Sequence, residues 1–152
     1  MSETPENIHA TAITVDGIGL LFLGPSGSGK SSLAFACLAE AKLMGCSGGL
    51  ISDDRVLVSQ RQGAVIGTGF EQIRGLIELR YTGIVCVDHV AEAALHYAIL
   101  PVADHEADRL PPDNEVIDVT PTIRLPAIRL LSWSRFPLNV IFARMRTLQR
   151  SG

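Results

Sequence analysis

Several features that mark other protein classes are scarce in this chain. Aromatic residues make up only 5% of the 152 residues, and no apolar run approaches the roughly 20 residues that a membrane-spanning helix needs. Lys and Arg total 13 against 16 Asp and Glu, and the sequence contains no cluster of basic residues of the kind that binds nucleic acid. We therefore expect neither nucleic-acid binding nor membrane insertion.

Cysteine is also rare, and its positions are uninformative for metal binding. Cys37, Cys46 and Cys86 lie at none of the spacings typical of metal sites or of a disulfide framework. We therefore expect the three thiols to be reduced, which predicts a cytoplasmic protein. Residues 1–7 are polar, lack the apolar core of a signal peptide and are expected to be disordered. The length predicts a single domain over residues 1–152.

What the chain does contain is a phosphate-binding loop. Residues 24–31 read GPSGSGKS, which matches G-x-x-x-x-G-K-[ST]. Glycines let successive backbone N–H groups surround phosphates, Lys30 neutralises the β and γ oxygens, and the Ser31 hydroxyl ligates Mg²⁺. An apolar strand-like run precedes the loop and a helical pattern follows it, as the motif requires. The predicted nucleotide-binding residues are Gly24, Pro25, Ser26, Gly27, Ser28, Gly29, Lys30, Ser31 and Ser32.

Most of the remaining pattern predicts strands. Residues 9–15 and 20–23 form a hairpin around Asp16-Gly17, the loop helix spans 30–44, and a last helix spans 138–148. Further strands are predicted at 50–52, 55–58, 64–66, 84–87, 95–102, 116–119 and 123–125, with a surface loop at 105–114. One early helix followed by strands predicts an α/β fold of α+β character, with a mixed, largely antiparallel sheet.

Two adjacent acids, Asp53 and Asp54, follow the strand at 50–52. Neighbouring side chains diverge at a strand end, so one can face the metal while the other takes a proton from a hydroxyl acceptor. The alternative is a pair of acids in a solvated turn. The intact phosphate loop upstream favours the functional interpretation.

Three more side chains are candidates from their placement. Glu78 and Arg80 share one face if residues 73–84 are extended, where they would serve a second metal and the phosphate charge, or form an ordinary exposed pair. His9 begins the strand that pairs beside the one entering the loop. A lone histidine there is either catalytic or a surface residue.

In this order, the elements resemble the catalytic domain of the bacterial HPr kinase/phosphorylase family. The shared motifs are His-Ala-Thr from residue 9, GPSGSGKS from 24, Leu-Ile-Ser-Asp-Asp-Arg-Val from 50 and Gly-Leu-Ile-Glu-Leu-Arg from 75. The resemblance implies ATP- and Mg²⁺-dependent phosphorylation of a serine on HPr or a related phosphocarrier, in the regulation of carbohydrate metabolism. It also implies reverse phosphorolysis, a sheet similar to phosphoenolpyruvate carboxykinase, and a hexamer.

The resemblance also implies roles for individual residues. Asp54 would be the base in the kinase direction and the acid in phosphorolysis, with His9 beside the transferred phosphate. Ser31 and Asp53 would hold one Mg²⁺ and Glu78 a second metal. Lys30 and Arg80 would stabilise phosphate charge.

The chain departs from the family in several places. It starts almost at the catalytic core, as in the short form of some proteobacteria without an N-terminal regulatory domain. Tyr81-Thr82 replaces a small, apolar pair, and Ser32 stands where an acid is common. No basic Gly-Arg-Asn loop is present, and Arg124 and Arg129 are the nearest candidates for its arginine. Kinase activity is thus better supported than phosphorolysis.

Two other function classes remain open from the sequence. One is a nucleotide-binding sensor without phosphotransfer, which would have no need for Asp54 as a base. The other is a small-molecule kinase, which would use further helices as a lid over its acceptor.

Overall fold

Twelve strands and two α-helices build the fold in a computed structural model, which describes residues 4–106 and 109–151. The helices are α1 (Lys30–Leu43) and α2 (Pro137–Ser151). Among the described residues, neither helix has the length and apolar character needed to cross a bilayer. The strands are β1 (Glu6–Ile8), β2 (Ala10–Val15), β3 (Ile18–Leu23), β4 (Gly48–Ser52), β5 (Val56–Arg61), β6 (Ala64–Thr68), β7 (Leu76–Leu79), β8 (Gly83–Cys86), β9 (Glu92–Ala94), β10 (Tyr97–Val102), β11 (Val116–Thr120) and β12 (Ile123–Leu131).

The central sheet has six strands in the order β11-β12-β10-β3-β2-β4. Its β3–β10 and β10–β12 pairs are parallel, and its other pairs are antiparallel. A second sheet, β1-β5-β6-β9, is antiparallel throughout, and β7 and β8 form a separate hairpin. The predicted mixed, largely antiparallel architecture is confirmed.

Alternation along the central strands divides the core into two layers. Ile13 and Phe22 belong to the cluster that includes residues of both helices. Ala12 and Leu21, one residue removed in each strand, pack instead with residues of the four-stranded sheet. Successive side chains of a strand point to opposite faces, so the central sheet lies between the helices and the second sheet.

Strand direction gathers several chain segments at one edge of the central sheet. β3, β4, β10 and β12 run the same way, whereas β2 runs against them. The start of β2 therefore meets the ends of the other four. His9, the loop after β3, Asp53 after β4 and Ser132 after β12 all lie at this edge.

Some predicted boundaries are wrong, for local physical reasons. Glu6 and Asn7, expected to be disordered, pair with β5, while residues 1–3 lie outside the described part of the chain. The strand expected at 95–102 begins only at Tyr97, because the preceding residues 92–94 form β9, which pairs with β6, whereas β10 pairs with β3. β12 continues through Pro126, in register with Val116 of β11, and ends at Leu131 instead of at the predicted residue 125.

Candidate active site

The loop at residues 24–31 joins the end of β3 to the start of α1. Gly24 and Gly29 have φ values of +150° and +100°, a region that disfavours other residues. A Cβ at Gly24 would also lie 2.8 Å from the Ser28 Oγ. Gly29 is the N-cap of α1 and has no side chain to cap it. The first-turn N–H groups of α1 are therefore left for an anionic ligand.

Lys30 is 93% buried at the base of this loop, since its relative exposure is 7%. Its Nζ donates to the carbonyl oxygens of Gly24 at 2.7 Å and Pro25 at 3.0 Å. Burial lowers the pKa of Lys30, and the nearby carboxylates of Asp54 and Asp53 oppose that shift. The ammonium thus lies where a phosphate on the loop would meet it.

Asp53 is the most tightly held acid of the site, with only 7% exposure. Its Oδ1 accepts from Ser31 Oγ at 2.6 Å and from Thr11 Oγ1 at 2.9 Å, and its Oδ2 accepts from the Glu78 N–H at 3.0 Å. These three bonds join β2, α1 and the β7–β8 hairpin around one carboxylate.

Thr11 belongs to the site, although it was not predicted from the sequence. It is fully buried on β2 and takes part in the Asp53 network. The one feature of the sequence that could have indicated Thr11 is its hydroxyl group, which lies next to Ala12 in an otherwise mostly apolar strand. Threonine is common in strands, so the pattern alone gave no reason to separate Thr11 from Thr14.

Asp54 points the other way. Its backbone has φ +68°, and its side chain is 70% exposed. Asp54 Oδ1 lies 3.3 Å from His9 Nδ1, and the opposite ring nitrogen of His9 lies 3.4 Å from Ser26 Oγ and 3.5 Å from Lys30 Nζ. His9 therefore bridges the exposed acid and the phosphate loop.

Glu78 and Arg80 both lie near the phosphate loop and the two aspartates, although they do not share one face of a strand. β7 ends at Leu79, so Arg80 lies in the turn to β8, and the condition for a shared face, an extended segment over residues 73–84, is not met. A Cβ at Gly27 would lie 3.5 Å from a guanidinium nitrogen of Arg80. Both residues line a cleft of about 340 Å³ with His9, Thr11, Ser26, Gly27, Gly29, Lys30, Ser31, Ser32, Asp53 and Asp54.

The two C-terminal arginine candidates do not join this cleft. Arg124 Nε donates to Asp118 at 2.7 Å, on the strand pair β11–β12. Arg129 makes two hydrogen bonds of 2.9 Å to the carboxylate of Glu115, whose pKa they lower. Neither arginine is among the residues that line the cleft.

The donor set of the cleft fits Mg²⁺ bound together with phosphates. Within the described ranges, no group of three or more His, Cys, Asp or Glu side chains is placed to hold a metal by itself. Ser31 and Asp53 instead offer a hydroxyl and a carboxylate in direct contact. Mg²⁺ in nucleotide sites is commonly held by one or two carboxylates with substrate phosphates, which matches this pair.

Comparison with known proteins agrees with the site. A family model described as the HPr Serine kinase C-terminal domain matches residues 2–94, which include the whole cleft. The chain belongs to this family. The predicted HPr kinase relationship is therefore confirmed, on the segment that contains the phosphate loop and both aspartates.

Curated relatives in the HPr kinase family extend the match beyond residue 94. The chain is 30% identical over 135 residues to the HPr kinase/phosphorylase of Enterococcus faecalis, covering 79% of this chain and 42% of that protein. It is 29% identical over 123 residues to that of Clostridium botulinum, covering 74% and 38%. The chain thus spans about two fifths of the length of these relatives.

The fold is similar to a solved HPr kinase structure. The Hpr(Ser) kinase/phosphatase from Coxiella burnetii matches with a TM-score of 0.75 and 24% identity, covering 97% of this chain and 99% of that one. At this identity the match establishes the shared architecture, including the C-terminal third.

Proposed function

We propose that the chain is an ATP- and Mg²⁺-dependent kinase that phosphorylates a serine on HPr or a related phosphocarrier protein. The observation that carries this proposal is the separation of the two aspartates. Asp53 is buried against Ser31, whereas Asp54 is exposed in the cleft beside His9. A protein that only sensed nucleotide would have no need for an exposed acid at this position.

The first part of the proposed mechanism is phosphate binding. The first-turn N–H groups of α1 and the Lys30 ammonium would hold the nucleotide phosphates, with Arg80 near Gly27 adding a second cation. Ser31 and Asp53 would hold Mg²⁺, which neutralises phosphate charge when bound, and Glu78 is our candidate for a second metal.

The second part is proton transfer. Asp54 would accept the proton of the attacking serine hydroxyl as that oxygen approaches the phosphate. His9, 3.3 Å from Asp54, would orient the carboxylate and share its charge. In the reverse direction the same carboxyl would donate the proton, by microscopic reversibility. Kinase activity is the better supported direction, since Arg124 and Arg129 are paired elsewhere.

Membership of the family supports a proposal for the cellular setting. We propose a cytoplasmic homo-oligomer, a hexamer by resemblance, that acts on a carrier of the phosphotransferase system and so regulates carbohydrate metabolism. A small-molecule kinase is less consistent with the fold, because the described residues contain only two α-helices and neither forms a lid over the cleft.

The test is the intact mass of an HPr-type carrier after incubation with the protein, ATP and Mg²⁺. We expect a gain of one phosphate, on serine. Asp54→Asn should keep Mg²⁺·ATP binding within a few-fold of wild type and reduce transfer by about 10²–10⁴-fold, the usual contribution of a general base.

Two variants act as controls for this experiment. Asp88→Asn changes an exposed acid outside the cleft and should leave transfer unchanged, while Lys30→Ala should lose nucleotide binding. If Asp54→Asn loses binding as severely as Lys30→Ala, Asp54 is a metal ligand and not the base. If wild type binds ATP but never modifies the carrier, the sensor interpretation replaces the kinase.

A further inference from the structure

An exposed aromatic cluster lies beside the phosphate loop, outside the cleft already described. Trp133, Phe136 and Val140 are 60%, 64% and 45% exposed. They line one cavity of about 450 Å³ together with Arg135 and the end of β12. Single exposed apolar side chains are ordinary, but two aromatic rings on one concave surface indicate a ligand or a partner.

The cluster is connected to the phosphate loop through Ser132. A Cβ at Gly29 would lie 3.4 Å from the Cβ of Ser132, the residue before Trp133. The Ser132 N–H donates to the Val102 carbonyl at 2.9 Å, which fixes this segment over the end of β10. The aromatic cluster therefore begins one residue from contact with the N-cap of α1.

The order of the strands gives a bound nucleotide a direction. His9 precedes the start of β2, and the two aspartates follow the end of β4, so these residues lie on one side of β3. In the proposed mechanism the terminal phosphate would lie on that side, close to Asp54. The rest of the nucleotide would then extend across the loop toward β10 and β12, where Ser132 and Trp133 follow the last strand.

We propose that Trp133 and Phe136 form the subsite for the nucleobase of the bound nucleotide. This inference rests on the proposed nucleotide binding and adds the residues that hold its base. A purine offers a flat π-face that stacks on an indole, and Arg135 can add a cation–π contribution. The Trp133 Nε1–H donates to Asp104, which fixes the ring before any ligand arrives.

The chemistry of this subsite predicts weak discrimination between bases. Stacking depends on the π-face that every base has, and hydrogen bonds to base edges supply most discrimination. Adenine and guanine nucleotides are therefore expected to bind with affinities within a few-fold of each other. A compound with the same phosphates and no base should lose the contribution of this surface.

Trp133 is the only tryptophan of the chain, so its fluorescence reports directly on the subsite. Mg²⁺·ATP and Mg²⁺·GTP should both change the emission, whereas Mg²⁺·tripolyphosphate should bind without a comparable change. By calorimetry, Trp133→Ala should weaken ATP binding about tenfold and leave tripolyphosphate binding unchanged. Trp133→Phe should recover most of the loss, and Leu43→Ala, an 89% exposed residue at the far end of α1, should change neither.

Two results would overturn the subsite. In one, Trp133→Ala leaves ATP affinity unchanged, or weakens ATP and tripolyphosphate equally. In the other, it changes the oligomeric mass and not ATP affinity, which assigns the cluster to a second copy of the chain. Neither of these results depends on phosphorylation of the carrier. If Trp133→Ala weakens ATP binding but not tripolyphosphate binding, the nucleobase subsite is supported even when no carrier is phosphorylated. In that case only the proposed kinase activity fails. If wild type binds no nucleotide at all, both proposals fail.

Discussion

At the scale of single residues, the site depends on how one buried carboxylate is oriented. Asp53 accepts hydrogen bonds from a hydroxyl of α1, a hydroxyl of β2 and a backbone N–H of β7. A buried charge with several donors is stabilised, and losing one donor leaves part of its desolvation cost uncompensated. Thr11 is the side-chain donor that lies outside the phosphate loop, and the third donor, the Glu78 N–H, belongs to the main chain.

Thr11→Val therefore tests the orientation of Asp53 without touching the loop. Valine keeps the shape and removes the hydroxyl, so we expect a loss of about 2 kcal/mol in the free energy of unfolding, typical of a hydrogen bond to a charged group. Urea denaturation measures the loss. Thr14→Val, on the same strand and half-buried, is the matched control and should stay near wild type. Equal effects of the two variants would mean that the Thr11 hydroxyl has no special role.

At the scale of elements, α1 connects the phosphate loop to the C-terminal helix. The carboxylate of Glu40, which is 8% exposed, accepts from the backbone N–H groups of Leu138 at 2.8 Å and Asn139 at 3.2 Å. It also accepts from Asn139 Nδ2 at 2.6 Å. A side chain of α1 thus caps the N-terminus of α2, where a negative charge is favoured by the helix dipole.

Glu40→Ala should destabilise the fold by about 2–3 kcal/mol, because it removes this cap and leaves two N–H groups without their partner. Thermal unfolding followed by circular dichroism measures the change. Glu71→Ala removes an exposed acid of a 3-10 turn and should have little effect. A loss for Glu40→Ala no larger than the control would show that solvent replaces the cap.

The elements also show where the sequence was informative. The phosphate loop, its helix and the first hairpin were predictable, because glycine positions and strong periodicity are local signals. The break between β9 and β10 at Leu95 and His96 was not predictable, because it depends on the meeting of two different sheets at this point. A Cβ at Gly19 would lie 1.8 Å from the Ala94 carbonyl oxygen, a contact between distant segments that no local pattern reveals.

The site was predictable to a similar degree. Lys30, Ser31 and the two aspartates follow from motif spacing and lie together in the cleft. Thr11 required knowledge of which strand lies beside Asp53, and the position of Trp133 beside Gly29 required the order of the parallel strands. The residues that could not be predicted are those whose role depends on their position in the folded structure and not on their residue type.

At the scale of the whole molecule, nucleotide binding should be measurable as stability. Asp53, Asp54 and Glu78 line one cleft, so an anionic nucleotide without Mg²⁺ meets like charges. We expect Mg²⁺·ATP at about one hundred times its Kd to add about 2.7 kcal/mol. For a chain of this size that corresponds to a rise of about 5–10 °C in Tm.

Differential scanning fluorimetry with ATP, in Mg²⁺ and in EDTA, measures this dependence. The shift should vanish in EDTA, and Lys30→Ala should show none in either buffer. The same shift with and without Mg²⁺ would mean that the carboxylates do not serve a metal-bound nucleotide.

The position of β10 has a consequence for how this fold can diverge. The family model ends at residue 94, yet β10 and β12 complete the sheet beside the strand that carries the phosphate loop. Pairing uses main-chain groups, so the exposed side chains of these strands can vary while the ladder is kept, whereas buried ones such as Ile99 and Ile128 must still fill the core. The match to the Coxiella burnetii structure covers 97% of this chain, so the backbone architecture is shared here as well. Main-chain pairing can therefore keep this third of the fold similar where the family model no longer matches the sequence.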